Sequence, residues 1–297
     1  MKIHVLGSSA GGGLPQWNCG GTYSTRARQG DRNVPPRTQP SIAVSASGER
    51  WSVVNASPDI RDQFARFSGL HPRPGTRELP LDKVIITNAD LDHTLGLLVL
   101  REALSYRIVS TPWVREAMLE NNAAWRLLET IWDTAEPGTP FALDARETLE
   151  ARFFSVPGKV PTYLKGVSEN AEDTTVGLSV LDTERSRRLV YAAGIKVIDG
   201  PTRSELERAD CRFVDGTFFS AEELLAMRPD APDAHAMGHQ PVGGTDGSLK
   251  ALSALSGRSI YIHINNTNPL VDAGSPEARE VEGAGVEIAS DGMEIEL

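Results

Sequence analysis

Short runs typical of β-strands recur along the whole chain, and helical patterns lie between many of them. Runs rich in Val, Ile and aromatic residues indicate strands, whereas apolar residues spaced three and four apart indicate helices. These patterns predict strands over residues 2–6, 41–44, 51–54, 83–87, 107–110, 151–155, 175–180, 188–192, 212–215, 259–264, 286–289 and 293–297. They predict helices over residues 59–68, 94–104, 112–120, 123–133, 202–208, 220–227, 247–256 and 275–283.

Many strands with helices interspersed predict an α/β protein. The pattern fits two sheets packed face to face with helices outside them. Periodicity alone equally allows a doubly wound α/β fold. No linker is long enough to split the 297 residues, so we expect a single domain over residues 1–297.

Composition excludes several classes of protein. A formal net charge of −10 argues against a general nucleic-acid binder, because phosphate contacts need clustered Lys and Arg. The two cysteines, Cys19 and Cys211, provide no disulfide framework. The chain starts directly with a predicted strand, without a signal-peptide pattern, and no apolar run approaches the roughly 18 residues of a membrane span. We therefore expect a cytoplasmic protein that neither crosses membranes nor binds nucleic acid.

One predicted strand ends in a segment rich in metal-binding side chains. The apolar residues 84–86 are followed by residues 87–93, in which Asp92 and His93 offer adjacent oxygen and nitrogen donors. That mix of donors suits zinc or non-haem iron. Apolar residues at helical spacing follow, so the donors lie where a helix begins. On local grounds a plainer interpretation stays open, in which Asp90 or Asp92 caps the helix and His93 lies at the surface.

Donors in the second half of the chain favour the metal site. Asp215 follows a predicted strand, His239 lies in a glycine-rich loop, and His263 lies in another predicted strand. The order of these segments resembles the metallo-β-lactamase superfamily, in which the usual string is HxHxDH. Here Asn88 and Asp90 replace its first two histidines.

Long strings in a fixed order carry a closer resemblance. They are GSSAGGG (7–13), PQWNC (15–19), NASPDIR (55–61), NADLDH (88–93), SVPGKVP (155–161), DGT (215–217), MGH (237–239), HINNTNP (263–269) and DGMEIEL (291–297). In these strings the chain resembles the pyrroloquinoline quinone (PQQ) synthesis protein B family, a branch of that superfamily. The resemblance implies a four-layer αββα metallo-β-lactamase sandwich, with two mixed sheets flanked by helices.

The chain departs from this family at a cysteine motif. The family usually carries CxCxxC after the Trp-Asn pair, as a small zinc-binding knuckle. The corresponding positions here are Cys19, Gly21 and Ser24. A structural zinc needs four ligands, and one thiolate cannot hold it. We therefore expect no structural zinc, and we expect residues 19–37 to form a looser loop than in relatives.

The resemblance also implies that one of two metal sites is lost. In dinuclear members the first ion is held by the first two histidines of HxHxDH and by a later histidine. Asn88 and Asp90 take the first two positions here, and Lys159 lies where the later histidine is expected. An ammonium group cannot ligate a metal. The second site keeps its ligands, and a mononuclear centre is expected from Asp92, His93, His263 and, bridging in relatives, Asp215.

Two histidines and one carboxylate with open positions are typical of non-haem Fe(II) oxygenases. Zinc also fits these ligands, as the purified or the alternative metal. The resemblance implies an iron hydroxylase of PQQ synthesis or a related pathway, which uses O2 to oxygenate the tyrosine-derived ring of a glutamate–tyrosine precursor. In that function His239 is a general acid/base and Asp90 orients a ligand or a substrate amine.

Several polar residues are candidates for binding a small or dipeptide-like substrate. Lys159, Arg61 and Arg37 would bind its carboxylates, because cationic side chains pair with them. Each could equally form an ordinary ion pair. Asn265, beside His263, is a further candidate, or else it stabilises the turn.

Two other functions remain open at this point. A zinc hydrolase of the metallo-β-lactamase type would use metal-bound water, with His239 assisting the leaving group. A non-catalytic carrier would transport PQQ or its precursor and would interact with other enzymes of the pathway. Oxygen dependence separates the hydroxylase from the hydrolase, and loss of His93 or His263 separates both enzymes from the carrier.

Overall fold

The computed structural model describes residues 1–103, 105–164 and 173–297. Its strands are β1 (Lys2–Gly7), β2 (Ser41–Ser45), β3 (Trp51–Val54), β4 (Leu81–Ile85), β5 (Arg107–Ser110), β6 (Trp132–Thr134), β7 (Pro140–Ala142), β8 (Leu149–Ser155), β9 (Val176–Asp182), β10 (Arg187–Ala192), β11 (Cys211–Asp215), β12 (Arg258–Ile262), β13 (Glu287–Ile288) and β14 (Glu294–Glu296). Its α-helices are α1 (Thr22–Arg28), α2 (Ile60–Arg66), α3 (Leu91–Thr94), α4 (Gly96–Val99), α5 (Pro112–Asn121), α6 (Gly200–Glu207), α7 (Leu249–Ser253) and α8 (Pro276–Gly283). Short 3₁₀ helices cover Ser68–Leu70, Leu100–Glu102, Ala123–Ile131, Thr162–Leu164, Glu223–Ala226 and Pro269–Val271.

These strands form two seven-stranded mixed sheets. The first has the order β14-β1-β2-β3-β4-β5-β6, antiparallel from β14 to β3 and parallel from β3 to β6. The second has the order β13-β12-β11-β10-β9-β8-β7, parallel from β13 to β10 and antiparallel beyond it. A single doubly wound sheet is therefore excluded.

Alternating side chains on the central strands build the layers. Ile85 of β4 and Phe213 of β11 belong to the apolar core between the two sheets. Their neighbours Val84 and Val214 face away from that core, because successive strand residues point to opposite faces. Val84 packs in a cluster with α2 and α5, and Val214 packs in one with α6 and α8. The predicted four-layer αββα sandwich of two mixed sheets flanked by helices is confirmed.

Some predicted elements differ from the observed ones. The predicted helix 123–133 is a 3₁₀ helix that leads into β6, and neither β6 nor β7 was expected. The predicted helix 220–227 is a single 3₁₀ turn. The predicted helix 94–104 is divided between α3, α4 and a 3₁₀ turn, and its final residue, Leu104, lies outside the described residues. A Cβ at Gly96 would lie 2.2 Å from the carbonyl oxygen of Ser57, so the start of α4 lies directly against that backbone.

The sheets meet at the edge where the predicted donors lie. Strands β11 and β12 are parallel neighbours, so Asp215 and the residues after Ile262 emerge at the same edge. Two isolated bridges join the sheets there, between Ser9 and Ile264 and between Asn88 and Thr175. A cavity of about 420 Å³ opens at this edge.

None of the helices in the described ranges is both long enough and apolar enough to span a bilayer.

Candidate metal centre

His93 lies on α3, one turn of helix that follows β4. Its backbone carbonyl accepts a 2.7 Å hydrogen bond from the amide of Ala56, which fixes α3 against residues before α2. Both ring nitrogens are buried without a hydrogen-bond partner in the described part of the chain. Burial lowers the pKa of His93 to about 4, so the ring is neutral. Unpaired nitrogens are costly to bury, and the lone-pair nitrogen of a neutral imidazole is a donor that a metal ion fits.

His263 follows β12 and faces α3 from the other sheet. Its Nε2 lies 3.2 Å from Oδ2 of Asp92. One donor atom from each of Asp92, His93 and His263 lies within 4.8 Å of the others. The backbone of His263 has φ +62°, a left-handed conformation that is uncommon for a residue other than glycine and clusters at functional sites. The donor set therefore fits one metal ion held between the sheets.

Thr217 connects three of the polar side chains. Its Oγ1 lies 2.6 Å from Oδ1 of Asp215, 2.7 Å from Nδ1 of His263 and 3.1 Å from Nδ1 of His239. A carboxylate only accepts, so the hydroxyl donates to Asp215 and accepts from Nδ1 of His263. That arrangement leaves the lone pair of His263 on Nε2, the nitrogen nearest Asp92. Thr217 lies in the DGT string, but the sequence assigned it no role.

The Asp215 carboxylate accepts four hydrogen bonds, two at each oxygen. Oδ2 accepts from the amide of Ile195 at 2.9 Å and from Nδ1 of His239 at 2.6 Å. Oδ1 accepts from the amide and the hydroxyl of Thr217. Burial alone would raise the pKa of Asp215, but the nearby imidazoles and these hydrogen bonds hold that pKa below its usual value. Donor atoms of Asp215, His239 and His263 also lie within 4.8 Å of one another, so His263 belongs to both groups of donors.

His239 is held by Asp215 and lines the cavity. Its ring lies parallel to that of His263, with a centroid distance of 5.5 Å and an interplanar angle of 25°. Nδ1 is occupied by Asp215, so Nε2 is the nitrogen that can exchange a proton with a bound molecule.

The positions of the lost first site form a polar group without histidine. Nδ2 of Asn88 donates to Oδ2 of Asp90 at 3.0 Å, and the amide of Asp90 donates to Oδ1 of Asn88 at 3.1 Å. Burial and the charge of Asp92 raise the pKa of Asp90 to about 6. Lys159 lines the same cavity and its charge opposes that rise.

The other predicted binding residues are divided. Asn265 lines the cavity with Lys159, and its Nδ2 donates to Oγ1 of Thr267 at 2.7 Å. Arg61 does not line the cavity. Its side chain on α2 is 85% exposed, and its Nη2 lies 3.7 Å from Oδ1 of Asp62. Arg37 is buried outside the cavity lining, where it donates to Oγ of Ser8 and to a backbone carbonyl. Neither of these two arginines is among the residues that line the metal cavity.

The segment of the altered cysteine motif is ordered by protein contacts. Ser24 accepts hydrogen bonds from the amide of Gln16 at 3.3 Å and from Nδ2 of Asn266 at 3.2 Å. Cys19 Sγ accepts from the amide of Gly21. Residues 19–37 are not simply a loop, because α1 forms within them and Arg26 forms ion pairs with Asp31 and Asp272.

The fold and the donor set define a protein of the metallo-β-lactamase superfamily, and residues 50–264 match the model of the beta-lactamase superfamily domain. The chain is 39% identical to coenzyme PQQ synthesis protein B from Methylobacterium nodulans, over 100% of both chains. It is 42% identical to the protein of that name from Rhizobium meliloti, over 100% of this chain and 98% of the relative. The chain therefore belongs to the coenzyme PQQ synthesis protein B family, as its motifs predicted.

A solved structure supports the same assignment. The chain superposes on zinc-bound PqqB from Methylobacterium extorquens with a TM-score of 0.93 and 37% identity, over 100% of both chains. A diphosphatase of the PhnP family shares the fold, with a TM-score of 0.67 and 18% identity over 100% of this chain and 97% of the other. The first of these likenesses indicates that this family binds a metal ion.

Proposed function

We propose that this chain is a mononuclear metalloenzyme of PQQ synthesis. The observation that carries the proposal is the pair of unpartnered ring nitrogens of His93, which lie beside Asp92 and His263. Asp92, His93 and His263 hold the ion through one carboxylate and two imidazoles. Asp215 completes the set, either by direct contact with the ion or by orienting His239 and Thr217 around it.

Fe(II) is the metal we propose, with zinc as the alternative. Two histidines and one carboxylate leave open positions in an iron site, as in non-haem oxygenases. Iron, when bound, supplies the activation of O2 for attack on an aromatic ring. Zinc fits the same donors, and the zinc-bound relative favours it.

The proposed reaction is hydroxylation of the tyrosine-derived ring of a glutamate–tyrosine precursor. One oxygen atom of O2 is inserted into a C–H bond of the ring, which becomes C–OH. The other oxygen atom leaves as water, which requires two electrons and two protons from a small organic reductant. His239 Nε2 donates or accepts the proton at the reacting end, and Asp90 orients the substrate amine. Lys159 and Asn265 contact the substrate from the cavity wall.

A zinc-dependent hydrolase is the second candidate, since the solved relative carries zinc. In that function a bound ion would activate water, and His239 would protonate the leaving group. A carrier of PQQ or of its precursor has no need of a metal with open positions. All three functions agree with a role in the PQQ pathway.

The decisive experiment is metal analysis of protein purified without oxygen, followed by assays on glutamyl-tyrosine dipeptide with ascorbate as reductant. The hydroxylase predicts about one iron per chain, O2 consumption and one added oxygen in the product. Cleavage of the dipeptide by zinc-loaded protein at the same rate with and without O2, with no oxygen added to the ring, would overturn the hydroxylase in favour of the hydrolase. Unchanged output of the pathway in cells carrying His93→Ala would support the carrier instead.

Residues 1–297 are proposed to fold as one domain, because both sheets contribute side chains to the same central core.

A further inference from the structure

A second cavity of about 420 Å³ adjoins the metal cavity. The two share four lining residues, which are Gly11, Phe218, Met237 and Asn265. Each cavity is within the size range of sites for small organic molecules. The two cavities therefore border each other along Phe218, Met237 and Asn265.

The wall of the second cavity is mostly apolar or neutral. Leu224, Met227, Phe218 and Met237 supply apolar and thioether surface. Thioethers adapt to flat rings and to flexible chains, because Met is unbranched and polarizable. Neutral polar side chains complete the wall from Gln16, Asn18 and residues 265–267.

One charged side chain, Arg228, is among the described residues that line this cavity. No carboxylate lies within 4.0 Å of its guanidinium in the described ranges, although the protein carries a formal net charge of −10. The neighbouring acid Glu223 is used elsewhere, since it accepts from the amide of Phe219 at 2.7 Å and from Thr267 at 2.5 Å. An arginine left without an acidic partner beside an apolar wall suits a ligand carboxylate.

Glu223 also positions Asn265, one of the residues that line both cavities. Nδ2 of Asn265 donates to Thr267, and Thr267 donates to Glu223, so a fixed carboxylate holds the amide of Asn265 in place. The border between the cavities therefore carries the positioned amide of Asn265 and the thioether of Met237.

We propose that the second cavity binds the distal end of the substrate and that Arg228 pairs with a carboxylate there. The substrate is then an elongated molecule with anionic groups at both ends, one near Lys159 and one near Arg228. The reacting part lies between them, at the metal centre. This inference rests on the proposed function, since it names the class of substrate for the same site.

The pairing of Arg228 with a substrate carboxylate is tested with two dipeptides, glutamyl-tyrosine and glutaminyl-tyrosine. They differ by one side-chain carboxylate. Binding to zinc-loaded protein is measured by calorimetry without oxygen. We expect the acidic dipeptide to bind about tenfold more tightly, and we expect Arg228→Gln to remove that preference. Arg32→Gln is the control, since Arg32 is exposed as Arg228 is but does not line the cavity, and this variant should keep the preference. The proposal is overturned if neither dipeptide binds, or if Arg228→Gln leaves the preference intact.

Occupation of the second cavity by the substrate is tested at Gly20, which lines this cavity but not the metal cavity. A Cβ built there has no neighbour within 4 Å, so a large side chain can be accommodated at this lining position. We expect Gly20→Phe to weaken binding of both dipeptides at least tenfold while zinc affinity stays unchanged. Gly283→Phe, at an equally open position on α8, is the control. Unchanged dipeptide binding to Gly20→Phe would show that the second cavity is not a subsite. Failure of the native protein to bind zinc would instead overturn the proposal that it is a metalloenzyme.

Discussion

Oγ1 of Thr217 lies 2.7 Å from Nδ1 of His263, and this contact determines which ring nitrogen of His263 is free to bind an ion. Thr217→Val keeps the shape of the side chain and removes the hydroxyl. We expect its zinc affinity to fall by about 10- to 100-fold, as for other residues that orient metal-bound histidines. Competition with a chelating dye measures this affinity. Thr217→Ser keeps the hydroxyl and should restore most of it, whereas equal affinity in the valine variant would show that Thr217 does not orient the ligand.

His93 and His239 should separate metal binding from proton transfer. His93→Ala removes a proposed ligand, so we expect loss of bound metal and of activity together. His239→Gln should retain the metal and lower turnover by about 10²- to 10⁴-fold, because a general acid/base contributes that much. Metal content per chain and turnover are measured on the same samples. His235→Ala, from the same loop, is the control and should match the native protein. Loss of metal from His239→Gln would instead make His239 a ligand.

Glu223 should make stability depend on pH. Burial raises the pKa of this acid from 4.5 to about 7 in the folded protein, so the folded state binds more protons than the unfolded state between those values. Stability therefore falls as pH rises through that window, by about 1.4 kcal/mol for each unit of difference between the folded and unfolded pKa values. Urea unfolding at pH 5 and pH 8 measures the fall. Glu223→Gln has no titrating group, and it should lose less stability between these two pH values than the native protein does.

Gly238 should be required for the position of Lys159. It has φ +85°, and a Cβ there would lie 3.0 Å from Cδ of Lys159. Gly244 has φ +83° with no neighbour within 4 Å of such a Cβ, so it provides a matched control. We expect alanine at either position to cost about 1 kcal/mol of stability through backbone strain. Dipeptide binding should weaken only in Gly238→Ala. Equal binding by both variants would show that Lys159 does not contact the substrate.

The central strands could be predicted because each carries its own signal. In β11 and β4, apolar residues are buried on both faces, and the polar donors begin where the apolar run ends. The motifs were specific enough to identify the family, and the four-layer arrangement followed from that resemblance. Periodicity alone left the doubly wound fold open, because local patterns do not report which strands pair.

The elements that the sequence did not reveal depend on distant contacts. Trp132 lies in a three-residue edge strand, and its indole nitrogen donates a 2.8 Å hydrogen bond to Oγ of Ser110. So short a run shows no alternation of apolar and polar residues from which a strand could be predicted. Arg37 and Arg61 were candidates because of their charge alone, and charge does not indicate which way a side chain points. The role of Thr217 required the positions of Asp215 and His263 in space. The second cavity is likewise formed by segments far apart in the chain.

The proposed ligands are divided between the two sheets, since Asp92 and His93 follow β4 and His263 follows β12. An ion bound by all three is therefore a non-covalent cross-link between the two halves of the molecule. Chelation would leave the sheets joined at this edge by the pairings of Ser9 with Ile264 and of Asn88 with Thr175. Backbone amides near these pairings should then exchange with deuterium faster in the metal-free protein, so that loss of the cofactor is registered as local opening before any global unfolding.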